Sequence, residues 1–155
     1  MPPQPSPFSV AEDASFLVAL NTAILAERQV HDLLGDLQRL NKLERTFISV
    51  DTFLTEAQAA GIGHFFENEC AALYDEVLLG LTEIGAHRLR VQVEQYVARV
   101  FGGDLPNSAE TRSKVLHGLT VHEDNDAERT VDALASASSL LARWARAHER
   151  HFAPQ

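Results

Sequence analysis

The sequence predicts an all-α fold, a single compact multi-helix domain of about seven helices. Three observations carry this. Apolar residues recur at three- and four-residue steps along most of the chain. No stretch alternates apolar and polar residues as a half-buried strand would. The breaks between stripes hold the glycines, prolines and capping residues that start and stop helices. A chain of 155 residues is one domain by default and buries roughly two thirds of its unfolded surface. Its hydrophobic content of 45% is ample for a core.

Residues 1–10 read as a Pro-rich, extended N-terminal tail, because Pro2, Pro3, Pro5 and Pro7 leave few backbone donors. The helical domain then spans 11–153. Ser9 and Glu12 have the spacing of a capping box. Leu17, Leu20 and Ile24 make the first apolar stripe, and Val30, Leu33, Leu34, Leu37 and Leu40 a second. Phe47, Val50, Leu54 and Ala57 make a third. Gly61 and Gly63 each weaken a helix by about 1 kcal/mol relative to alanine, so a break falls there. Phe65 and Phe66 then turn inward, and Asn68 caps the helix that carries Leu73, Val77, Leu81 and Ile84. Gly85 reads as its left-handed terminator. Together Gly61, Gly63, Phe65, Phe66, Asn68 and Gly85 form a structural joint rather than a phosphate loop, since neither glycine of the break follows a strand.

Leu89, Val93, Tyr96 and Val100 mark the next helix, stopped by Phe101-Gly102-Gly103-Asp104-Leu105-Pro106. Asn107 with Glu110 and Asn125 with Glu128 offer caps for the last helices, which end in the Leu134, Leu141, Trp144 and Ala145 stripe. Phe47, Phe65, Phe66 and Trp144 read as core. Phe53, off its stripe, fits the core and a symmetric dimer seam equally.

The formal net charge is −9. It argues against direct contact with nucleic acid, whose partners neutralise phosphates with Lys and Arg, and against anionic membranes. No run approaches the roughly 20 apolar residues of a membrane span, and the start lacks the basic and apolar regions of a signal peptide. Cys70 is the one cysteine, so no internal disulfide forms. These features fit a cytoplasmic protein. The charge is segregated: Thr46 to His87 holds Asp51, Glu56, Glu67, Glu69, Asp75, Glu76 and Glu83 with no Lys or Arg. Such a run can steer a basic partner, and it can equally be a solvated face. Glu69, Glu76 and Glu83, spaced by seven, fall on one side of a single helix about 10 Å apart, away from the Leu73–Ile84 stripe.

Candidate chemistry is thin. His117, His122, Glu123, Asp124 and Asp126 combine ligand types for a divalent cation, but match neither His-Glu-x-x-His nor a calcium loop; a capped acidic loop explains them as well. No metal and no cofactor is predicted. Cys70 with His64 or His87 is the thiol option for nucleophilic catalysis, opposed by the acids around it, which disfavour a thiolate. His148 and His151 read as surface histidines. No strained Gly-x-Ser-x-Gly turn presents a serine.

Glu56 to Asn68, followed by Leu81-Thr82-Glu83-Ile84-Gly85-Ala86-His87 and by Phe101-Gly102-Gly103, resembles a family of small bacterial helical proteins whose founding example is a DNA-mimic protein. Its pattern runs approximately Glu-x-x-Asn-Gly-Gly-Phe-x-Gln-Phe-Phe-x-Asn, then a helix ending in Ile-Gly-Ala. Glu56, Gly61, Phe65, Phe66 and Asn68 match; Ala59, Ala60, Ile62 and His64 depart. The likeness is clearest from Glu44 to Leu119. It implies a helical, dimeric fold with an acidic surface and a basic DNA-binding partner such as a repressor or histone-like protein, while the lack of a catalytic signature in the residues points to a non-enzymatic role. A helical dimerisation or scaffold protein is the alternative. A metal-dependent enzyme using His117, His122 and Asp124 or Asp126 is a weaker one.

Overall fold

In the computed structural model, which describes residues 5–119 and 126–152, every regular element is helical. The described residues form α1 (Asp13–Glu27), α2 (Lys42–Ala60), α3 (Ile62–Glu67), α4 (Tyr74–Glu83), α5 (His87–Phe101), α6 (Ala109–His117), α7 (Asp126–Ala147) and α8 (Glu149–Phe152). Short 3-10 turns lie at Pro7–Ser9, Leu37–Arg39 and Glu69–Leu73. The all-α prediction holds.

The axis of the molecule is α2. It buries Phe47, Ile48, Val50, Phe53, Leu54 and Ala57, and packs against α1, α3, α4, α7 and α8. Its start is fixed by a capping box that the sequence reading passed over. Asn41 Oδ1 accepts from the Glu44 amide at 2.9 Å, and Glu44 Oε2 accepts from the Asn41 amide at 2.9 Å. Glu44 is buried, and its carboxylate also takes Arg28 Nε at 3.0 Å and Nη2 at 2.9 Å. One side chain therefore caps α2 and ties it to the end of α1.

On another side of α2, Gly80 of α4 faces Val50 and Thr46 so closely that an added Cβ would run into the valine. The turn from α4 to α5 is a Schellman motif: Gly85 has φ 83°, its amide donates to Thr82 O at 3.1 Å, and the Ala86 amide donates to Leu81 O at 2.8 Å. Long α7 closes the core against α1, α2 and α5. Near its end Arg146 lies 4.2 Å over the Phe16 ring and pairs with Asp13 at 2.5 Å.

The predicted stripes led by Leu17, Phe47, Leu73, Leu89 and Leu134 are buried, except for half-buried Val100. Phe53 is fully buried too, 5.1 Å edge-on to Phe65, which places it in the core and not in a seam. Elsewhere the structure corrects the sequence reading. Residues 28–41 form turns, not a helix. Gln29 takes φ 52°, and Asp36 Oδ2 accepts from the amides of His31 and Asp32 at 2.9 and 3.2 Å. Those amides are thereby diverted from helical bonding by a local side-chain acceptor. The leucines of the segment still pack on the core.

The cap of α1 is Glu12, whose carboxylate accepts from Ala14 and Ser15, while Ser9 donates its hydroxyl to Ser6 O. The cap of α6 is Ser108 rather than Asn107. The tail is folded from Pro7 onward, with Phe8 5.4 Å from Phe16, because burying an aromatic outweighs the extended preference of its prolines. Asn125 lies outside the described residues.

Candidate partner-binding surface

The joint comes first, because it positions the acids around it. Gly61 stands at φ 91°, ψ 168°, a conformation essentially confined to glycine, and it turns the chain from α2 into α3. That turn sends Ile62, Phe65 and Phe66 into the core. Phe66 stacks on Tyr96 of α5, with ring centroids 5.7 Å apart. Gly63 does not break a helix. It sits within α3, where a Cβ would meet Tyr96 Oη at 2.7 Å, so its role is close approach to α5. Asn68 makes no side-chain cap. Its Nδ2 instead donates to His64 O at 2.9 Å and to Glu56 Oε2 at 3.2 Å, stitching the end of α3 back to α2.

A residue that the sequence reading missed locks this corner. Arg112 of α6 is 3% exposed. Nε donates to Phe66 O at 2.8 Å, Nη2 to Asn68 O at 3.0 Å, and Nη1 to Pro106 O and Asn107 O at 2.7 and 2.8 Å. The guanidinium thus satisfies carbonyls at the end of α3 and in the loop before α6, and burial lowers its pKa. Nothing in the sequence around an arginine at helical spacing marks it as buried.

The seven acids fall into two groups. Asp51 is half-buried, accepts Asn21 Nδ2 at 2.6 Å, and burial pushes its carboxyl up to about 6. Glu56 and Glu67 are half-buried around His64: Nε2 lies 3.0 Å from Glu56 Oε2, and Nδ1 3.9 Å from Glu67 Oε2. Glu67 also reaches His117 Nε2 at 3.6 Å, and Glu76 pairs with Arg45 at 3.6 Å.

Glu69, Asp75 and Glu83 are exposed and make no ion pair among the described residues. The seven-residue line does not lie on one helix. Asn68 interrupts the chain, Glu69 belongs to a 3-10 turn, and α4 starts at Tyr74, leaving Glu76 and Glu83 on a shared face. Leu79, 67% exposed, falls between them.

Residues 38–148 match the DMP19-like protein family. The chain belongs to that family. The match is wider than the Glu44–Leu119 stretch where the resemblance is clearest, and it takes in the turn before α2 and all of α7. No curated protein and no solved structure matches the chain. The family stretch thus holds the joint, the Arg112 lock and all seven acids, while α1, α8 and the N-terminal turn lie outside it.

The remaining candidate chemistry of this DMP19-like chain is placed as follows. Among the described residues no three His, Cys, Asp or Glu side chains are grouped to hold a metal ion. His117 pairs with Glu67, while His122, Glu123 and Asp124 lie outside the described residues, as does the side chain of Asp126. Cys70 Sγ donates to Phe65 O at 3.8 Å, and burial, with the Glu56 charge adding to it, pushes the thiol up to about 11. That is the opposite of what a thiolate nucleophile needs.

His148 is not a free surface histidine: it is half-buried, with Nδ1 2.7 Å from Trp144 O and its ring 4.7 Å from the indole. Among the described residues no helix is long and apolar enough to cross a membrane.

Proposed function

We propose that this chain is a non-enzymatic interaction domain that sets an acidic side against the basic surface of a DNA-binding protein, a repressor or histone-like protein, and competes there with DNA. The observation that carries this reading is the set Glu69, Asp75 and Glu83: exposed, unpaired among the described residues, and set in a stretch with seven acids and no Lys or Arg. Membership of the DMP19-like family supports it.

Carboxylates take the place of phosphates opposite Lys and Arg, so binding falls steeply with salt as Coulomb attraction is screened. Glu76 and Glu83, about 10 Å apart by helical rise, span roughly three phosphate steps of about 3.4 Å. Glu56, Glu67 and Glu76 belong to the same acidic stretch, with His64, His117 and Arg45 within ion-pair distance of them. Asp51 contributes least, since a half-buried carboxyl that titrates near 6 is a poor phosphate substitute.

The test is a pull-down from host lysate eluted with a salt gradient, run beside the triple variant Glu69→Lys, Asp75→Lys, Glu83→Lys. A DNA-binding protein released at moderate salt, displaced by duplex DNA and lost in the triple variant is the expected result. Partners that resist salt, or that bind the variant normally, overturn mimicry in favour of a helical scaffold.

A further inference from the structure

A second surface lies away from the joint. A groove of about 770 Å³ runs along α1. Ala19, Ala23 and Ala26 of α1 line it above the buried Leu20 and Ile24, together with Phe8 and Val10 of the N-terminal segment and Phe152 of α8. Its size falls within the range of roughly 300–1,000 Å³ typical of ligand pockets. Apart from Glu44, its lining lies outside the family-matched residues 38–148.

The groove exists because α1 is apolar on more than one side. Phe16, Leu17, Leu20 and Ile24 serve the core, yet Val18, Ala19, Ala23 and Ala26 continue the apolar surface around the helix. A helix that is apolar nearly all round is stable when it is covered all round. Here the core covers one side only, and small alanines leave the other hollow. The rim is acidic. Glu27 and Glu149 are exposed and unpaired among the described residues, whereas Arg28 is spent on Glu44 at 2.9 Å. The rim therefore carries an excess of negative charge, with Glu27, Glu44 and Glu149 set against Arg28, whose charge also feels Glu27.

We propose that this groove binds a short amphipathic basic segment of a partner protein, its apolar side chains seated on Phe8, Ala19 and Ala23 and its Lys or Arg residues facing Glu27 and Glu149. The proposal does not rest on DNA mimicry at α4. The probe is a fluorescently labelled peptide of leucine and lysine with its leucines on one helical face, compared by anisotropy with a scrambled peptide of the same composition.

Ala23→Trp, which fills the groove, and the rim variant Glu27→Lys, Glu149→Lys should each weaken binding by roughly tenfold or more. Asp104→Lys with Asp132→Lys, exposed acids outside both the groove lining and the α4 surface, should change it less than about threefold, through long-range steering alone. Should Ala23→Trp fail to fold, the rim variant decides by itself, since both positions are exposed. Equal binding of the scrambled peptide, or undiminished binding to a folded groove or rim variant, overturns the proposal. So does a dimer in sedimentation that Ala23→Trp dissolves, which would assign the groove to a second copy of the chain.

Discussion

At the scale of single residues, the most consequential side chain is Arg112. A guanidinium presents its donors in a rigid planar fork, and here four of them meet backbone carbonyls that come from two separate segments. Arg112→Met should lower stability by about 3 kcal/mol or more, because buried carbonyls lose charge-assisted donors. Arg112→Lys should rescue little of that, since an ammonium cannot reproduce the fork. Urea unfolding of the two variants checks both statements.

Asp51 makes the opposite kind of contribution. Its folded pKa stands above the ordinary 3.8, at about 6, because burial disfavours the charged form. Between those two values the folded chain retains a proton that the unfolded chain has released, so stability falls as pH rises through this window and is level above it. Asp51→Asn keeps an oxygen to accept from Asn21 Nδ2. It should flatten that slope and raise stability at about pH 8 by about 2 kcal/mol. Thermal melts of both proteins across the window measure it; parallel profiles would contradict the assignment.

At the scale of elements, the α2–α3 joint depends on glycine for two different reasons, which substitution separates. Gly61→Ala forces a side chain into a backbone region that only glycine occupies comfortably, at a cost on the order of 1–3 kcal/mol. Gly63→Ala meets no such backbone barrier, since the residue is helical, but its methyl group presses on Tyr96 Oη. Its cost, about 1–3 kcal/mol, is one of overpacking and should be relieved in part by Tyr96→Phe. A double-mutant cycle in denaturant distinguishes the two: coupling to Tyr96 is expected for Gly63 and not for Gly61. The start of α2 follows the same logic, as Asn41→Ala removes one half of a reciprocal cap and should cost about 1 kcal/mol.

At the scale of the whole molecule, α2 touches α1, α3, α4, α7 and α8, so it cannot open without exposing most of the core. Its amides from Phe47 to Ala57 should exchange slowest with solvent, close to the global unfolding limit, while the turns at 28–41 should exchange fastest among the described segments. Hydrogen exchange read by mass spectrometry tests this ranking. The same organisation keeps the two proposed surfaces apart: the acids belong to the α2–α3–α4 corner, and the groove belongs to α1 with the chain ends. Loss of one binding activity should therefore leave the other intact.

The sequence by itself determined the fold class, the main apolar stripes, the terminator at Gly85, the break at Gly61 and the excess of acid between Thr46 and His87. All of these are local: helical period, backbone freedom of glycine and charge composition are written in neighbouring residues. It also carried the Asn41–Glu44 cap, a spacing that was legible and went unread. Local too, though hidden by the apolar spacing, is the diversion of the His31 and Asp32 amides to Asp36 that keeps Val30 to Leu40 from forming a helix. Tertiary structure decided the rest. Whether Gly63 breaks or packs depended on where Tyr96 lies, and Asn68 stitches instead of capping because Glu56 and the His64 carbonyl are within reach.

Arg112 is buried, and Asp51 half-buried, only because segments distant in sequence supply the surroundings that bury them. Exposure has the same origin. Of seven acids equivalent on paper, the fold pairs or half-buries four and leaves Glu69, Asp75 and Glu83 to solvent, because accessibility is a property of the assembled surface and not of the residue.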